Sequence, residues 1–269
     1  YVDTVERYDV HTDRWIEAPP MLARRGGLGA AALDACLYAV GGYDGHNYLA
    51  SVERCDVRVG RWTAVAPLTH RRNGMAVAVL DQSLVAVGTS VDRNCPAVER
   101  YDPRMDAWTP MPPTLTRRSH LAAVVAGADL YVVGGFDGTT ELGTMERYDG
   151  LVGSWVKEQP MELSRNGLAA AVVGRSIFAL GSYDGISPVS AVEEFSIDSG
   201  EWRNAVSMQV ARSGLAAAAH GDFIFAAGGF DGLDVMASVE VLDPLQDVPE
   251  WTMVAPMGTK RSGLAMAVG

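Results

Sequence analysis

Apolar runs of four to six residues alternate with polar, glycine-rich turns along the whole chain, as in Leu28–Leu33 (LGAAAL), Leu130–Val133 (LYVV) and Leu168–Val173 (LAAAVV). Runs this short, bounded by turn residues, predict strands joined into antiparallel meanders. No segment sustains a 3.6-residue period, so almost no helix is expected.

The pattern has a period. All six tryptophans, Trp15, Trp62, Trp108, Trp155, Trp202 and Trp251, stand 46 to 49 residues apart. A glutamate precedes each of the first five by nine residues (Glu6, Glu53, Glu99, Glu146, Glu193), and Glu240 precedes Trp251 by eleven. An arginine opens each following segment: Arg25, Arg72, Arg118, Arg165, Arg212 and Arg261. Glycine pairs recur at Gly41–Gly42, Gly134–Gly135 and Gly228–Gly229, with degenerate forms at Gly88–Thr89 and Gly181–Ser182. A fixed period of this length marks an array, a propeller or a solenoid.

Each period predicts four strands. The first follows the arginine and is rich in Ala and Gly, and the second ends at the glycine pair. After a loop, usually Tyr-Asp-Gly or Phe-Asp-Gly, the third carries Val-Glu-Arg-Tyr-Asp or a variant, and the fourth opens with the tryptophan. Such a unit must pack on copies of itself, and a radial arrangement protects the strand edges. Small residues suit an innermost strand near the axis. The tryptophan suits an outer strand, where blades diverge and need bulk.

The expected fold is therefore all-β: a six-bladed propeller of four-stranded antiparallel blades. Residues 1–269 are read as a single domain of six repeats of about 47 residues, one of them split between the termini. Tyr1–Glu6 aligns with Tyr48–Glu53, and Arg261–Gly269 aligns with Arg25–Leu33. The C-terminal strand is thus expected to join the N-terminal strands and close the ring. Positions equivalent to 34–47, a second strand and its loop, have no counterpart in the split unit. Because the first residue is Tyr1, the chain is read as a fragment of something longer.

Charge and composition narrow the partners. With 33 acidic against 22 basic residues the net charge is −11, which argues against a nucleic-acid surface and against anionic membranes. No apolar run approaches the ~20 residues that cross a bilayer, and no signal peptide is visible. Three cysteines, Cys36, Cys55 and Cys95, read as free thiols of a reducing compartment. Five scattered histidines and no paired ligand spacing predict neither a metal centre nor a cofactor.

The glycine pair, the Tyr-Asp-Gly loop, the Val-Glu-Arg-Tyr-Asp strand and the spaced tryptophans resemble Kelch repeats over essentially the whole chain. Gly41–Gly45 (GGYDG), Ser51–Asp56 (SVERCD) and Arg261–Val268 (RSGLAMAV) resemble the Kelch-like subfamily in particular. That resemblance implies a non-catalytic adaptor whose BTB and BACK domains lie upstream, outside this sequence. It would recruit a substrate protein, through a short peptide or loop, to a cullin-RING ubiquitin ligase. It also implies a cytoplasmic or nuclear location, and a monomer for this portion.

Repetition sorts the residues further. What recurs in every unit serves the scaffold, and what varies at an exposed repeat position is free for a ligand. The variable positions fall in the loop between second and third strands and in the link from the fourth strand to the next first strand. In an antiparallel meander both emerge on one face. Carried over from the family, the partner-binding candidates in the first set are Tyr1, Tyr43, Tyr48, Arg93, Phe136, Glu141, Tyr183, Pro188, Phe230 and Val235. Those after the repeated arginine are Gly26, Asn73, Ser119, Asn166, Ser213 and Ser262. Arg24, Arg71 and Arg117 add local positive potential at the rim, and His120 reads as a polar rim residue. The second unit departs from the array, with Thr89–Ala97 replacing the aromatic loop. Two rivals remain: a copper enzyme of the galactose-oxidase type, for which converging Tyr, His and Cys ligands are wanting, and a cytoskeletal, actin-binding Kelch scaffold.

Overall fold

The computed structural model describes residues 1–88 and 98–268. Among these the secondary structure is all strand. A two-stranded sheet comes first, β1 (Val5–Asp9) and β2 (Arg14–Ala18). The first blade is β3 (Gly29–Leu33), β4 (Cys36–Val40), β5 (Val52–Asp56) and β6 (Arg61–Val65). The second is β7 (Ala76–Leu80), β8 (Ser83–Val87), β9 (Val98–Asp102) and β10 (Ala107–Pro110), and the third β11 (Ala122–Ala126), β12 (Asp129–Val133), β13 (Met145–Asp149) and β14 (Ser154–Glu158). The fourth is β15 (Ala169–Val173), β16 (Ser176–Tyr183), β17 (Pro188–Ser196) and β18 (Glu201–Ala205), and the fifth β19 (Ala216–His220), β20 (Phe223–Ala227), β21 (Val239–Leu242) and β22 (Thr252–Val254). Strand order within every blade is sequential and antiparallel.

First strands of successive blades stand side by side, β3 by β7, β7 by β11, β11 by β15 and β15 by β19. Their composition permits it: GAAAL in β3 and AAAAH in β19 leave little bulk at the axis. Just before these strands a ring of backbone hydrogen bonds runs around the axis. Gly74 N–H donates to Gly27 O, His120 to Gly74, Gly167 to His120, Gly214 to Gly167, Gly263 to Gly214, and Gly27 to Gly263, at 2.6–2.9 Å. All six residues have φ between 52° and 63°, the left-handed region that glycine enters at no steric cost.

The repeated arginine and glutamate form one ion pair per unit: Arg25–Glu53, Arg72–Glu99, Arg118–Glu146, Arg165–Glu193, Arg212–Glu240 and Arg261–Glu6. Buried charge is costly unless its lone pairs and protons are met, and here backbone groups meet most of them, though the Nε–H of Arg118 and of Arg165 has no partner. Arg25 also donates to the carbonyls of Gly41 and Ser51, and Glu53 accepts the amides of Leu22 and Ala23. The glutamate of a third strand thus holds the link arriving from the preceding sheet. Each tryptophan does the same farther out. Trp62 Nε1–H donates to Pro19 O and Trp155 to Pro112 O, while Trp251 donates to Val206 O.

The head and tail of the chain are joined by the same devices. Arg261 pairs with Glu6 at 2.8 Å and Trp15 Nε1–H donates to Ala255 O at 2.8 Å. The expected blade count needs correction. Among the described residues five blades are four-stranded, not six, and the remaining position holds the two strands β1 and β2. Segment 261–268, expected as the first strand of that blade, makes no strand ladder among the described residues. The reason is topological. A first strand pairs with a second strand, and the counterpart of 34–47 for this repeat is not among residues 1–269.

Candidate partner-binding face

The loops between second and third strands and the links between blades project from one end of the disc, because each follows an even number of antiparallel passes. The candidate residues meet there in sets. Tyr43 bridges both Gly26 and Tyr48; Phe136 bridges Ser119 and Glu141; Phe230 bridges Ser213 and Val235. Tyr183 bridges Asn166 and pairs with Pro188. In each set the aromatic exchanges two backbone hydrogen bonds with the residue after the arginine, as with Tyr43 and Gly26 at 3.0 and 2.9 Å. The backbone is therefore pinned while the side chains at both partner positions stay free to vary.

The Asp-Gly that follows each aromatic caps the loop. Asp44, Asp137, Asp184 and Asp231 each accept the amides two and three residues on, at 2.6–2.9 Å. Those amides hold all four carboxyls below the usual carboxylate range. The aspartates are thus loop scaffold, charged at neutral pH.

Neighbouring sets touch. Tyr1 packs edge-on against Tyr43 with centroids 5.1 Å apart, and Tyr43 lies equally close to Tyr48. Asn166 Nδ2 donates to Glu141 Oε1 at 3.2 Å, linking the third and fourth blades. A methyl group on Gly232 would stand 3.6 Å from Pro188, so Pro188 leans on the fifth blade in the same way. Nearer the axis, Asn73 lies against Gly27 and Ser262 against Gly214. Among the described residues, Asn73 and Ser262 are not bridged to an aromatic loop. Arg93 lies outside the described residues.

Sequence reasoning named His120 only as a rim residue. It takes a ring position that glycine holds in the other five units, with φ 52°. Its imidazole covers Gly74, and the surrounding protein pushes its pKa below the ordinary histidine value, so it is neutral at neutral pH. Reasoning also missed Ile186 and Leu233, 86% and 90% exposed at the tips of two adjacent loops. The signal was present: the residue after each Asp-Gly varies as His46, Thr139, Ile186 and Leu233.

The face is polarised. Arg24, Arg71, Arg117 and Lys260 are exposed at one repeat position in four consecutive units, where the fourth and fifth blades have Ser164 and Ala211. Those two blades present Glu162, Asp184, Asp231 and Asp234 beside Ile186 and Leu233. A cleft elsewhere, between the third and fourth blades, is lined by Asp129, Tyr131, Arg147 and Phe195 among others. Its arginine already donates to Glu158 and Asp129, so its main charge is spent internally. Among the described residues no cluster of three or more His, Cys, Asp or Glu is placed to hold a metal.

These features define a β-propeller presenting a variable, aromatic-studded face for protein interaction. The Kelch motif is matched over residues 24–69, 117–162, 164–209 and 211–258, and the chain belongs to the Kelch-repeat family. It is 50% identical over 48 residues to mouse Kelch-like protein 1 and 51% identical over 47 residues to human Kelch-like protein 5. Each match spans 18% of this chain and 6% of the relative. In fold it is similar to the solved structure of YjhT, with a TM-score of 0.77, covering 93% of this chain and 89% of that one at 14% identity.

Proposed function

We propose that the loop face binds a short peptide or exposed loop of a partner protein, and that the chain is the substrate-recognition part of a cullin-RING ubiquitin-ligase adaptor. The observation that carries this reading is the pinned aromatic of four blades, flanked on both sides by positions that differ from blade to blade. Rigid half-buried aromatics supply contact area at low entropic cost, and the amide and hydroxyl groups of Asn166, Ser119 and Ser213 supply hydrogen bonds. The closed ring of six hydrogen bonds supports a six-position arrangement, so the face encircles the axis. The adaptor role rests on resemblance to the Kelch-like proteins. It carries with it a cytoplasmic location, ligase contacts made by domains outside these residues, and no catalysis by this chain.

The test is capture of proteins from cell lysate by the chain and by a variant with Tyr43→Ala, Tyr183→Ala and Phe230→Ala. Partners held by the native face should be lost from the variant while its melting temperature changes little. Equal capture by both would move the site elsewhere. Actin recovered in place of ligase substrates would favour the cytoskeletal reading.

A further inference from the structure

The cleft between the third and fourth blades has a volume of about 280 Å³. Its third-blade wall draws Asp129 and Tyr131 from β12, Arg147 from β13 and Glu158 from β14. Phe195 of β17 and, beyond it, Ile197 and Gly200 form the opposite wall. Asp129 opens β12 and Gly200 lies in the turn between β17 and β18, both at strand ends remote from the loop face. The cleft is therefore separate from that face.

One guanidinium serves three carboxylates here. Arg147 Nε donates to Glu158 Oε1 at 2.7 Å, and its Nη1 lies 3.4 Å from Asp129 Oδ2 and 3.7 Å from Asp149 Oδ2. The nearby Arg175 is paired with Asp198 at 2.5 Å. The scaffold calls for neither Asp129 nor Glu158. Cys36, Ser83, Ser176 and Phe223 open the other second strands, and Ala18, Val65, Ala205 and Val254 stand where Glu158 does. A second observation is independent of these charges. Tyr131 is 3% exposed, and among the described residues its hydroxyl has no hydrogen-bond partner, an arrangement that destabilises a fold unless something else uses the group. Burial, and then the charge of Asp129, raise its pKa above the ordinary tyrosine value, with Arg147 acting against them, so the hydroxyl lies among the charged groups of the cleft. In the first blade the equivalent Tyr38 has the Arg54 guanidinium beside its hydroxyl. In the third, the carboxylates hold the guanidinium instead.

We propose that this cleft is a second binding site, which accepts an arginine side chain from an exposed segment of a partner protein. Three carboxylates against one guanidinium leave two negative charges, which call for a cation. A planar guanidinium can meet two carboxylates at once and donate a further N–H to the Tyr131 hydroxyl oxygen. Tyr131 and Phe195, with ring centroids 6.4 Å apart, supply aromatic walls for a weakly hydrated cation, which favours arginine over lysine. The net charge of −11 draws a basic segment toward the protein. This inference does not depend on the loop-face reading.

The test titrates the whole chain with the end-capped peptide Gly-Arg-Gly and follows the amide resonances of Ile197 and Gly200. Two control peptides replace the arginine with citrulline, which is neutral and of the same shape, or with lysine. The arginine peptide should bind saturably, with half-saturation at about 1 mM, and more weakly as salt is added. The citrulline peptide should not bind, and the lysine peptide should bind several-fold more weakly. Tyr131→Phe keeps the ring and removes the hydroxyl, so it should weaken binding about fivefold with the melting temperature unchanged or raised. Glu158→Gln should weaken it further. The Tyr43→Ala, Tyr183→Ala, Phe230→Ala variant should bind the arginine peptide as the native chain does. No saturable binding, an equal response to the citrulline or lysine peptide, or full affinity in both Tyr131→Phe and Glu158→Gln would overturn the proposal.

Discussion

Replacing Ser182 with glycine should make the protein more stable. Ser182 occupies the place of Gly42, Gly135 and Gly229, where a β-carbon would stand 2.7–2.9 Å from the carbonyl oxygen of Gly26, Ser119 or Ser213. Those glycines have φ of 95–104°, whereas Ser182 sits at 140°. Strand pairing shifts register between Leu180 and Ser182. A side chain in this region of φ costs ~1–3 kcal/mol. The serine is also fully buried, and its Oγ has no hydrogen-bond partner, a further ~1–3 kcal/mol. Glycine returns ~0.5–1 kcal/mol of this through the freedom of the unfolded chain. A net gain of about 2 kcal/mol is expected, or about 4 °C in melting temperature for a chain of this length. Urea titration at constant m-value is the assay. Ser182→Ala, which removes the hydroxyl and keeps the strain, should recover about half. A melting temperature lowered by Ser182→Gly, or an alanine variant more stable than the glycine one, would refute the strain argument.

The seam between the chain's ends gives two more. Glu193→Gln breaks a fully buried pair and should cost ~3–5 kcal/mol. Glu6→Gln, at the less buried seam, should cost less in the same urea titration. Burial raises the Glu6 pKa, but the Arg261 guanidinium and the Gly258 and Thr259 amides together outweigh it and leave it lowered. The stability it contributes is therefore complete above its unfolded value of about 4.3 and is lost as pH falls through the folded one. Hydrogen exchange at Gly258 and Thr259 should accelerate over that acid range in the native protein, and Glu6→Gln should be fast throughout with no such dependence. Glu141→Ala and Asn166→Ala should each leave stability within ~0.5 kcal/mol. In a double-mutant cycle on partner affinity they should be non-additive, because the two side chains share one hydrogen bond across the blades.

What the chain's periodicity exposed, and what it hid, follow from the kind of constraint involved. Strands, glycine pairs and the Arg–Glu repeat were legible because every blade needs them and so every repeat prints them. The donor role of each tryptophan was not. Its acceptor is a backbone carbonyl 42 to 45 residues upstream, or, for Trp15, on Ala255 at the far end of the chain, and a carbonyl leaves no residue-specific mark. The axial ring was half legible: a glycine follows the variable residue in five units, but His120 breaks the rule while keeping the backbone conformation. The blade count failed because repeat arithmetic counts positions around the axis, whereas a four-stranded sheet needs its second strand. The loop aromatics bridge the residues that follow the repeated arginines, because backbone bridges follow repeat register. The cross-blade contacts, such as Asn166 with Glu141, depend on side-chain reach and were invisible.

The same logic explains how one scaffold supports a variable face without losing stability. The pinning bonds at the face are made by main chain, Tyr43 with Gly26 or Tyr183 with Asn166, so any residue except proline that fits the local backbone keeps them. The closing interactions lie deeper, in the guanidinium, carboxylate and indole of each unit, and involve none of the face side chains. Sequence drift at Tyr48, Glu141, Pro188 and Val235 therefore costs little folding energy. It alters the chemistry presented to a partner, aromatic at Tyr48, acidic at Glu141 and apolar at Pro188 and Val235. Binding specificity and fold are decoupled here because backbone geometry fixes the positions while the side chains at those positions are left to choose the ligand.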